Sequence, residues 1–390
     1  MASPSTGRAF LIGLVLGGAV LIAAGFEQVR SDSVTRSDFA VIWTGSRVIL
    51  EGGDPYLASS FGAAASRAGT TRASVPIDTY PPWVTIPLAP LGLLDLDPAA
   101  AIWTYGGLLL AAAGLYALLR SALPGVPVLH TLAGLTLVAS QPAIATFVVG
   151  QWTFLLLGAL CGVVVLLRAD RPVLAAAATL PLLAKPQLFP FALWALSFVA
   201  AGRRPRQTSF IVGLVAVWVT PVLASILVFP DRTRTWFDRV AVGVALADRT
   251  TPTIGHWPAA VFGDGSVIVV AAVLLLALAA ARPADPRTPT GLATWIGLSL
   301  LLATYIRSYD QLLFLVPIVL AAGGLLSVSR RRAIVLGVAG LGLLLVGSLI
   351  LYGTVAAARQ NEDVSVLIAL ALYAGLVLAD RTRLLRPPRR

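Results

Sequence analysis

Long apolar runs recur along the whole chain, and they constrain its fold more than any other feature. Their lengths, 13 to 22 residues, lie near the roughly 20 residues that a helix needs to cross a bilayer. Inside the hydrocarbon core every backbone polar group needs an internal partner, so we expect these runs to be helices. With 57% hydrophobic and 12% charged residues, the chain is predicted to be an all-α integral membrane protein with about 12 transmembrane helices. The predicted spans are 9–26, 99–119, 128–148, 151–167, 172–184, 186–201, 208–229, 266–281, 290–305, 311–326, 333–352 and 364–379.

The positions of the charged residues predict the membrane topology. When the loops are assigned alternately to two sides, the side of the N-terminus holds 17 of the 29 Lys and Arg residues and 3 of the 18 acids. Cytoplasmic loops are enriched in Lys and Arg, so both termini are expected in the cytoplasm. The net charge of +11 is explained first by this topology, so no nucleic-acid partner is expected. This alternation requires that residues 172–201 form two short helices with a turn at Lys185. The long outer loops are then about 27–98 and 230–265, within one polytopic membrane domain over residues 1–390.

Several enzyme classes lack their motifs in this chain. There is no Walker A sequence, no His-Glu-x-x-His zinc motif and no Gly-x-Ser-x-Gly nucleophile elbow. The single Cys161 excludes a disulfide framework. Asp95 and Asp97 have the spacing of a metal site, but Pro98 follows and a span begins there, so helix capping is favoured and no metal cofactor is expected. The predicted spans carry almost no charge at their centres, which argues against a secondary transporter.

The first outer loop contains the carboxylate that we single out as a candidate general base. Ser37 is expected to cap a short helix from Asp38 to about Leu50, which places Asp38 in the first turn, where the helix dipole stabilises a negative charge. That structural role is one explanation of Asp38, and removal of a proton from an incoming hydroxyl is the other. Gly45 lies two turns further along the same face and leaves room beside the carboxylate. Asp54 follows two glycines and is predicted to be a turn residue.

Two cations in the outer turns are candidates for binding a phosphate. Lys185 is the only lysine of the chain, and a cation at membrane depth needs an anionic partner. Arg307 lies in a later outer turn, where a plain ion pair with Asp310 is the alternative. Cations there can hold the phosphate of a lipid-borne leaving group and stabilise the charge that develops on it.

Four other side chains of the outer turns are predicted to shape the site for sugar and acceptor. Tyr80 precedes a Pro-Pro-Trp segment that is expected to lie in the membrane interface. Gln151 lies between two spans, where a tight helical hairpin is the alternative role. His256 lies in the second long loop, where it can be a proton carrier or an ordinary solvated residue. Tyr309 can stack on a sugar ring.

Four segments, taken in order, are similar to a known family. They are SDFAVIWTGSRVILEGGDPY (37–56), TYPPWVTIPLAPLGLLD (79–95), VVGQWTFLLLGAL (148–160) and AAAATLPLLAKPQLFPF (175–191). They resemble the actinobacterial polyprenyl-phosphate-sugar-dependent glycosyltransferases of glycosyltransferase family eighty-seven. The resemblance covers about residues 37–195, with a weaker match at 308–317.

This resemblance implies a GT-C fold in the plasma membrane, a helical bundle with its active site on the extracytoplasmic face. It implies a polyprenyl-phosphate sugar donor, most typically mannose, and a glycolipid or cell-envelope glycan as acceptor. Asp38 would be the catalytic base of a single, inverting displacement that needs no metal. The Lys-Pro element of the family corresponds to Lys185 and its Gly-Gln element to Gln151, whereas Trp152 stands where the family often has asparagine. The second outer loop matches poorly, so the role of His256 rests on loop position alone.

Three alternatives remain at this stage. The donor can be polyprenyl-phosphate arabinofuranose, because a related arabinofuranosyltransferase belongs to the same family. The chain can be a glycolipid transporter or flippase that performs no chemistry and moves by alternating access. It can also be a noncatalytic membrane partner of an envelope complex. Only the transferases need Asp38 as a base.

Overall fold

The computed structural model describes residues 4–70, 80–200, 204–245, 266–356, 362 and 365–384. Within these residues the chain is helical and contains no β-strand. The α-helices are α1 (Pro4–Ala23), α2 (Phe26–Ser33), α3 (Asp38–Leu50), α4 (Ala58–Arg67), α5 (Pro82–Thr85), α6 (Leu96–Ala122), α7 (Pro127–Ala139), α8 (Gln141–Val149), α9 (Thr153–Arg168), α10 (Pro172–Ala177), α11 (Pro190–Val199), α12 (Arg204–Val228), α13 (Pro230–Ala245), α14 (Ser266–Ala281), α15 (Pro289–Leu301), α16 (Leu315–Leu326), α17 (Arg330–Gly342), α18 (Ser348–Leu351) and α19 (Val366–Leu384). Short 3₁₀ helices at Val34–Arg36, Ile86–Leu93, Leu180–Ala184, Pro186–Leu188 and Ser308–Phe314, and π-helical turns at Leu343–Gly347 and Tyr352–Ala356, join some of them.

The apolar runs of the sequence are helices in the structure. Each of the predicted spans overlaps a helix, which confirms the all-α membrane fold. Within the described residues, six helical segments are long and apolar enough to cross a bilayer, and several shorter apolar helices accompany them. The predicted number of about 12 spans therefore stays a prediction. The six are Ser5–Ala23, Leu96–Ala122, Pro127–Val149, Arg206–Val228, Ser308–Leu326 and Arg330–Val355.

The chain breaks between two short helices at Lys185, as the sequence predicts. The turn Leu180–Ala184 ends there, and Lys185 leaves the helical conformation with φ −140° and ψ 65°. Proline has no N–H to donate and disfavours a helical conformation in the residue before it. Pro186 therefore ends the first helical segment, and a second proline, Pro190, opens α11. The break places the lysine at the end of a helical segment instead of in the middle of one.

Small residues let the first helix pack closely on α7. A Cβ atom at Gly13 would lie 2.1 Å from the carbonyl oxygen of Thr131, and one at Gly134 would lie 2.6 Å from that of Phe10. Thr131 also donates a hydrogen bond to the carbonyl of Ala9 at 3.0 Å. Close backbone approach of this kind is the usual way in which helices associate inside a membrane. It fixes the helix that leads into the first outer loop.

Polar contacts agree with the predicted division of the loops into two sides. Hydrogen bonds join loops that the sequence assigns to the side of the termini: Arg168 to Ser121 at 3.3 Å, Arg330 to Gly125 at 2.9 Å, Thr290 to Asp380 at 2.5 Å, and Arg206 to Asp170. The candidate site residues that the structure describes come together from loops of the other side. Which of the two sides faces the cytoplasm stays a prediction.

Candidate functional site

Asp38 begins α3, and Ser37 caps this helix as predicted. The Ser37 hydroxyl accepts a hydrogen bond from the Ala40 N–H at 3.1 Å and donates one to the carbonyl of Val34 at 2.7 Å. These bonds satisfy one of the backbone N–H groups that a helix leaves without a partner at its start. Asp38 itself is half-buried, whereas the following residues 39–46 are buried. The carboxylate therefore stands at the end of a helix that is anchored in the core.

Gly150 brings the next loop against α3. It ends α8 with φ +68°, a left-handed conformation that residues with a Cβ atom rarely adopt. A Cβ atom at this position would lie 2.5 Å from that of Phe39. The Gly150 carbonyl accepts a hydrogen bond from the indole N–H of Trp103 at 3.0 Å. Backbone geometry thus requires a glycine at position 150, and the turn places Gln151 beside Asp38.

Gln151 connects the candidate base to Tyr80. Its side-chain N–H donates a hydrogen bond to the Asp38 carboxylate, and its carbonyl oxygen accepts one from the Tyr80 hydroxyl at 3.3 Å. Both Gln151 and Tyr80 are buried. Burial and then the charge of Asp38 raise the pKa of Tyr80 well above its usual value. The phenol is therefore neutral at ordinary pH and keeps its proton for the amide.

Aromatic rings pack around this connection. Trp152 lies with its ring centre 5.9 Å from that of Tyr80 and 4.7 Å from that of Trp103. Trp103 in turn packs on Phe39 at 5.6 Å. Trp152 is therefore a packing residue that supports Tyr80 and the start of α3.

The sequence predicts an anionic partner for Lys185, and Asp310 supplies one. The Lys185 ammonium lies 2.8 and 3.0 Å from the two carboxylate oxygens of Asp310. Thr153 donates a further hydrogen bond to the same carboxylate at 3.1 Å. The ammonium also lies 4.5 Å from the ring centre of Tyr309, a cation–π distance. The role of Lys185 at a donor phosphate stays a prediction, and the structure adds that its charge is balanced inside the protein.

Arg307 and Tyr305 form the more accessible part of the site. The Arg307 Nε–H donates to the Tyr305 hydroxyl at 3.1 Å, and the Arg307 side chain is half-buried. Burial raises the pKa of Tyr305, and the nearby charges of Asp310 and Asp38 raise it further, whereas Arg307 opposes them. Tyr305 therefore lies within electrostatic range of both Asp38 and Arg307.

Most of the predicted site residues come together in the structure. Tyr80 and Gln151 surround Asp38, while Lys185 and Tyr309 surround Asp310 next to Arg307. His256 lies outside the described residues. The Arg307–Asp310 ion pair that the sequence offered as an alternative takes another form, because Asp310 accepts the backbone N–H of Arg307 at 3.2 Å and its charge meets Lys185.

Sequence reasoning missed two contributors to the site. Tyr305 was included in the predicted span 290–305, but α15 already ends at Leu301. Asp310 was considered only as a partner of Arg307, its neighbour in sequence. The available signal was Lys185 itself. A cation predicted at membrane depth needs a counter-charge, so a buried carboxylate could have been sought elsewhere in the chain.

The described residues hold no group of three or more His, Cys, Asp or Glu side chains that could bind a metal ion. Asp95 occupies the N-cap position of α6 and Asp97 lies in its first turn, although the Asp95 side chain makes no capping hydrogen bond. The favoured position of the Asp-x-Asp pair at a helix start is therefore correct, and its expected capping bond is not present.

Comparison with known proteins identifies the class of this all-helical membrane protein. The family model described as Glycosyltransferase family 87 matches residues 79–304, which is more than half of the chain. The chain therefore belongs to glycosyltransferase family 87, and it is a membrane glycosyltransferase. No curated protein and no solved structure gives a significant match. The matched part includes Tyr80, Gln151 and Lys185, whereas Asp38 precedes it and Arg307 follows it.

Proposed function

We propose that this glycosyltransferase transfers a sugar, most typically mannose, from a polyprenyl phosphate to a lipid-linked or cell-envelope glycan. The reaction takes place on the extracytoplasmic face of the plasma membrane and inverts the anomeric carbon. The observation that carries the proposal is the placement of Asp38, a half-buried carboxylate at a capped helix start, held by Gln151, whose other end accepts the Tyr80 hydroxyl. Membership of the family supplies the reaction class, and the resemblance described above supplies the donor.

Asp38 acts as the general base of this reaction. It takes the proton from the acceptor hydroxyl, whose oxygen attacks the anomeric carbon of the donor sugar. The bond between that carbon and the phosphate oxygen breaks, and the electron pair leaves with the polyprenyl phosphate. A carboxylate suits this role because it can reach the acceptor from one side while the leaving group departs on the other.

Arg307 is the first candidate for holding the donor phosphate. A guanidinium group binds phosphate through paired hydrogen bonds and stabilises the charge that forms on the leaving group. Lys185 ranks below Arg307 as a phosphate ligand, because its side chain is only 5% exposed and is already paired with Asp310. Tyr309 supplies an aromatic surface beside these groups, and metal ions are not required in this proposal.

The proposal is tested by transfer from radiolabelled polyprenyl-phosphate mannose to a native lipid extract, in membranes that contain the wild type or Asp38→Asn. We expect labelled glycolipid from the wild type only. Asp54→Asn is the matched control, because Asp54 belongs to the same outer loop and uses one oxygen to accept the Tyr56 N–H at 2.9 Å, which an asparagine can also do. This control is expected to keep the activity.

The other outcomes separate the alternatives. Activity in Asp38→Asn would remove the base assignment. Absence of label from every sample calls for polyprenyl-phosphate arabinofuranose as the donor. If that donor also fails, a flippase assay with a fluorescent polyprenyl-phosphate glycolipid distinguishes the transporter from an enzyme that uses another sugar.

A further inference from the structure

Lys185 and Asp310 form an ion pair that is buried inside the protein. Their side chains are 5% and 0% exposed. Moving two charges out of water costs free energy, and the pair is tolerated only if the charges compensate each other and the remaining hydrogen bonds are satisfied. The hydroxyl of Thr153 meets this requirement at one carboxylate oxygen, at 3.1 Å. Removal of either charge alone would leave the other buried without compensation.

The carboxylate also fixes the backbone of the segment that carries Arg307. One Asp310 oxygen accepts the Arg307 N–H at 3.2 Å, at the start of the turn Ser308–Phe314. The Lys185 ammonium lies under the Tyr309 ring. Tyr309 is in turn within electrostatic range of Asp38 and Tyr80. The ion pair therefore contacts both Arg307, through Asp310, and Tyr309, through Lys185.

Three distant parts of the chain meet at Asp310. Lys185 comes from the break between α10 and α11, Thr153 opens α9, and Arg307 follows α15. Lys185 and Asp310 are 125 positions apart in sequence, and Thr153 and Asp310 are 157 apart. A phosphate that binds Lys185 directly would have to enter a place that these three segments close and compete with a carboxylate already there.

We infer that Lys185 and Asp310 are positioning residues, which hold Arg307 and Tyr309 in place relative to Asp38, and that Lys185 does not bind the donor phosphate itself. This inference deepens the proposed function and rests on it for the kinetic part of its test. It separates two roles that the sequence alone assigns to one lysine: a phosphate ligand lowers the donor KM, whereas a positioning residue acts mainly on kcat.

A double-mutant cycle distinguishes the two roles. Lys185→Met and Asp310→Asn each leave one buried charge, and we expect kcat to fall about 10²-fold because the site is misplaced. The Lys185→Met/Asp310→Asn double variant carries neither charge, and its asparagine can still accept the Thr153 hydroxyl or the Arg307 N–H. We expect its kcat to be about tenfold higher than that of the slower single variant. Its donor KM should lie within about twofold of the wild-type value. No recovery of kcat, or a donor KM that stays raised about tenfold in the double variant, would overturn the inference.

Hydrogen–deuterium exchange provides a readout that needs no donor. Backbone amides of residues 305–314 are measured in the purified protein in detergent, for the wild type and the three variants. Faster exchange in both single variants and its return toward wild type in the double variant are expected, because the pair holds this turn. Unchanged exchange in the single variants would overturn the inference. Since this measurement does not depend on the substrate, a failure of the proposed function leaves its result interpretable.

Discussion

The side-chain amide of Gln151 donates a hydrogen bond to the carboxylate of Asp38, across 113 positions of the sequence. The other end of the same amide accepts the Tyr80 hydroxyl. With both ends engaged, the amide can present only its N–H to Asp38. Gln151 therefore orients the carboxylate, and it does more than line the space for a substrate.

Replacement of Gln151 by leucine is expected to slow transfer. The variant keeps the approximate volume and removes both hydrogen bonds, so we expect kcat to fall about 10- to 100-fold, since misplaced catalytic groups lose rate strongly. The donor KM is expected to change less than threefold. Tyr80→Phe removes only the hydrogen bond from the Tyr80 hydroxyl to Gln151, so it should lower kcat less. A Gln151→Leu enzyme with the wild-type kcat would show that Asp38 needs no such partner.

Substitution of alanine for Gly150 is expected to damage both stability and activity. The left-handed conformation costs about 1–2 kcal/mol for a residue with a Cβ atom, and the clash with Phe39 adds about 1–3 kcal/mol. Thermal unfolding in detergent, together with the transfer assay, measures the two effects. Gly125→Ala is the matched control, because Gly125 has φ +73° and no atom within 4 Å of an added Cβ. It should show only the backbone cost, and equal losses in the two variants would contradict the steric argument.

Replacement of Arg307 by glutamine is expected to weaken donor binding. A charge-assisted hydrogen bond contributes about 1.5–3 kcal/mol, so the donor KM should rise about 10- to 100-fold while the acceptor KM stays unchanged. Arg307→Lys keeps the charge but lacks the planar guanidinium group, so its donor KM should lie between those of the wild type and Arg307→Gln. Arg67→Gln is the control, since Arg67 forms an exposed ion pair with Glu51. An unchanged donor KM in Arg307→Gln would show that another group binds the donor phosphate.

Tyr80 is expected to make the stability of the protein fall at high pH. Its folded pKa lies above the value of about 10 for an unfolded tyrosine. Above pH ~10 the unfolded chain therefore loses a proton that the folded protein keeps, and stability decreases as pH rises, by at most about 1.4 kcal/mol per pH unit. Below that pH the contribution is constant. The melting temperature should fall more between pH 8 and pH 10.5 in the wild type than in Tyr80→Phe. The other tyrosines of the variant titrate as in the wild type. Equal falls would argue against a buried, protonated Tyr80.

The helices and their local ends could be predicted from the sequence because short-range physics determines them. Apolar runs gave the spans, Ser37 gave the cap of α3, and the proline after Lys185 gave the break. Each of these features depends on residues within a few positions of one another. The same reasoning placed Tyr305 in a helix, because an apolar run continues past Leu301, where the helix itself ends.

The contacts between the loops could not be predicted in the same way. Polar residues on one side of the membrane can pair in many combinations, and hydropathy does not distinguish among them. An ion pair of Asp310 with nearby Arg307 was one of two alternatives, yet the charge of Asp310 meets Lys185 from another helix pair. The sequence does not fix the number of spans either, because α9, α11 and α15 are short for full crossings of a bilayer.

The sequence distance between Lys185 and Asp310 has a consequence for biogenesis. At a synthesis rate of ~5–20 residues per second, the 125 positions between them take on the order of ten seconds to emerge from the ribosome. During that time the α10–α11 hairpin enters the bilayer with a cation that has no counter-ion. The ion pair can form only when the segment after α15, which carries Asp310, has been synthesised. Nascent chains that stop before Asp310 keep an uncompensated cation at Lys185, and we expect them to be less stable in the membrane than the full-length chain.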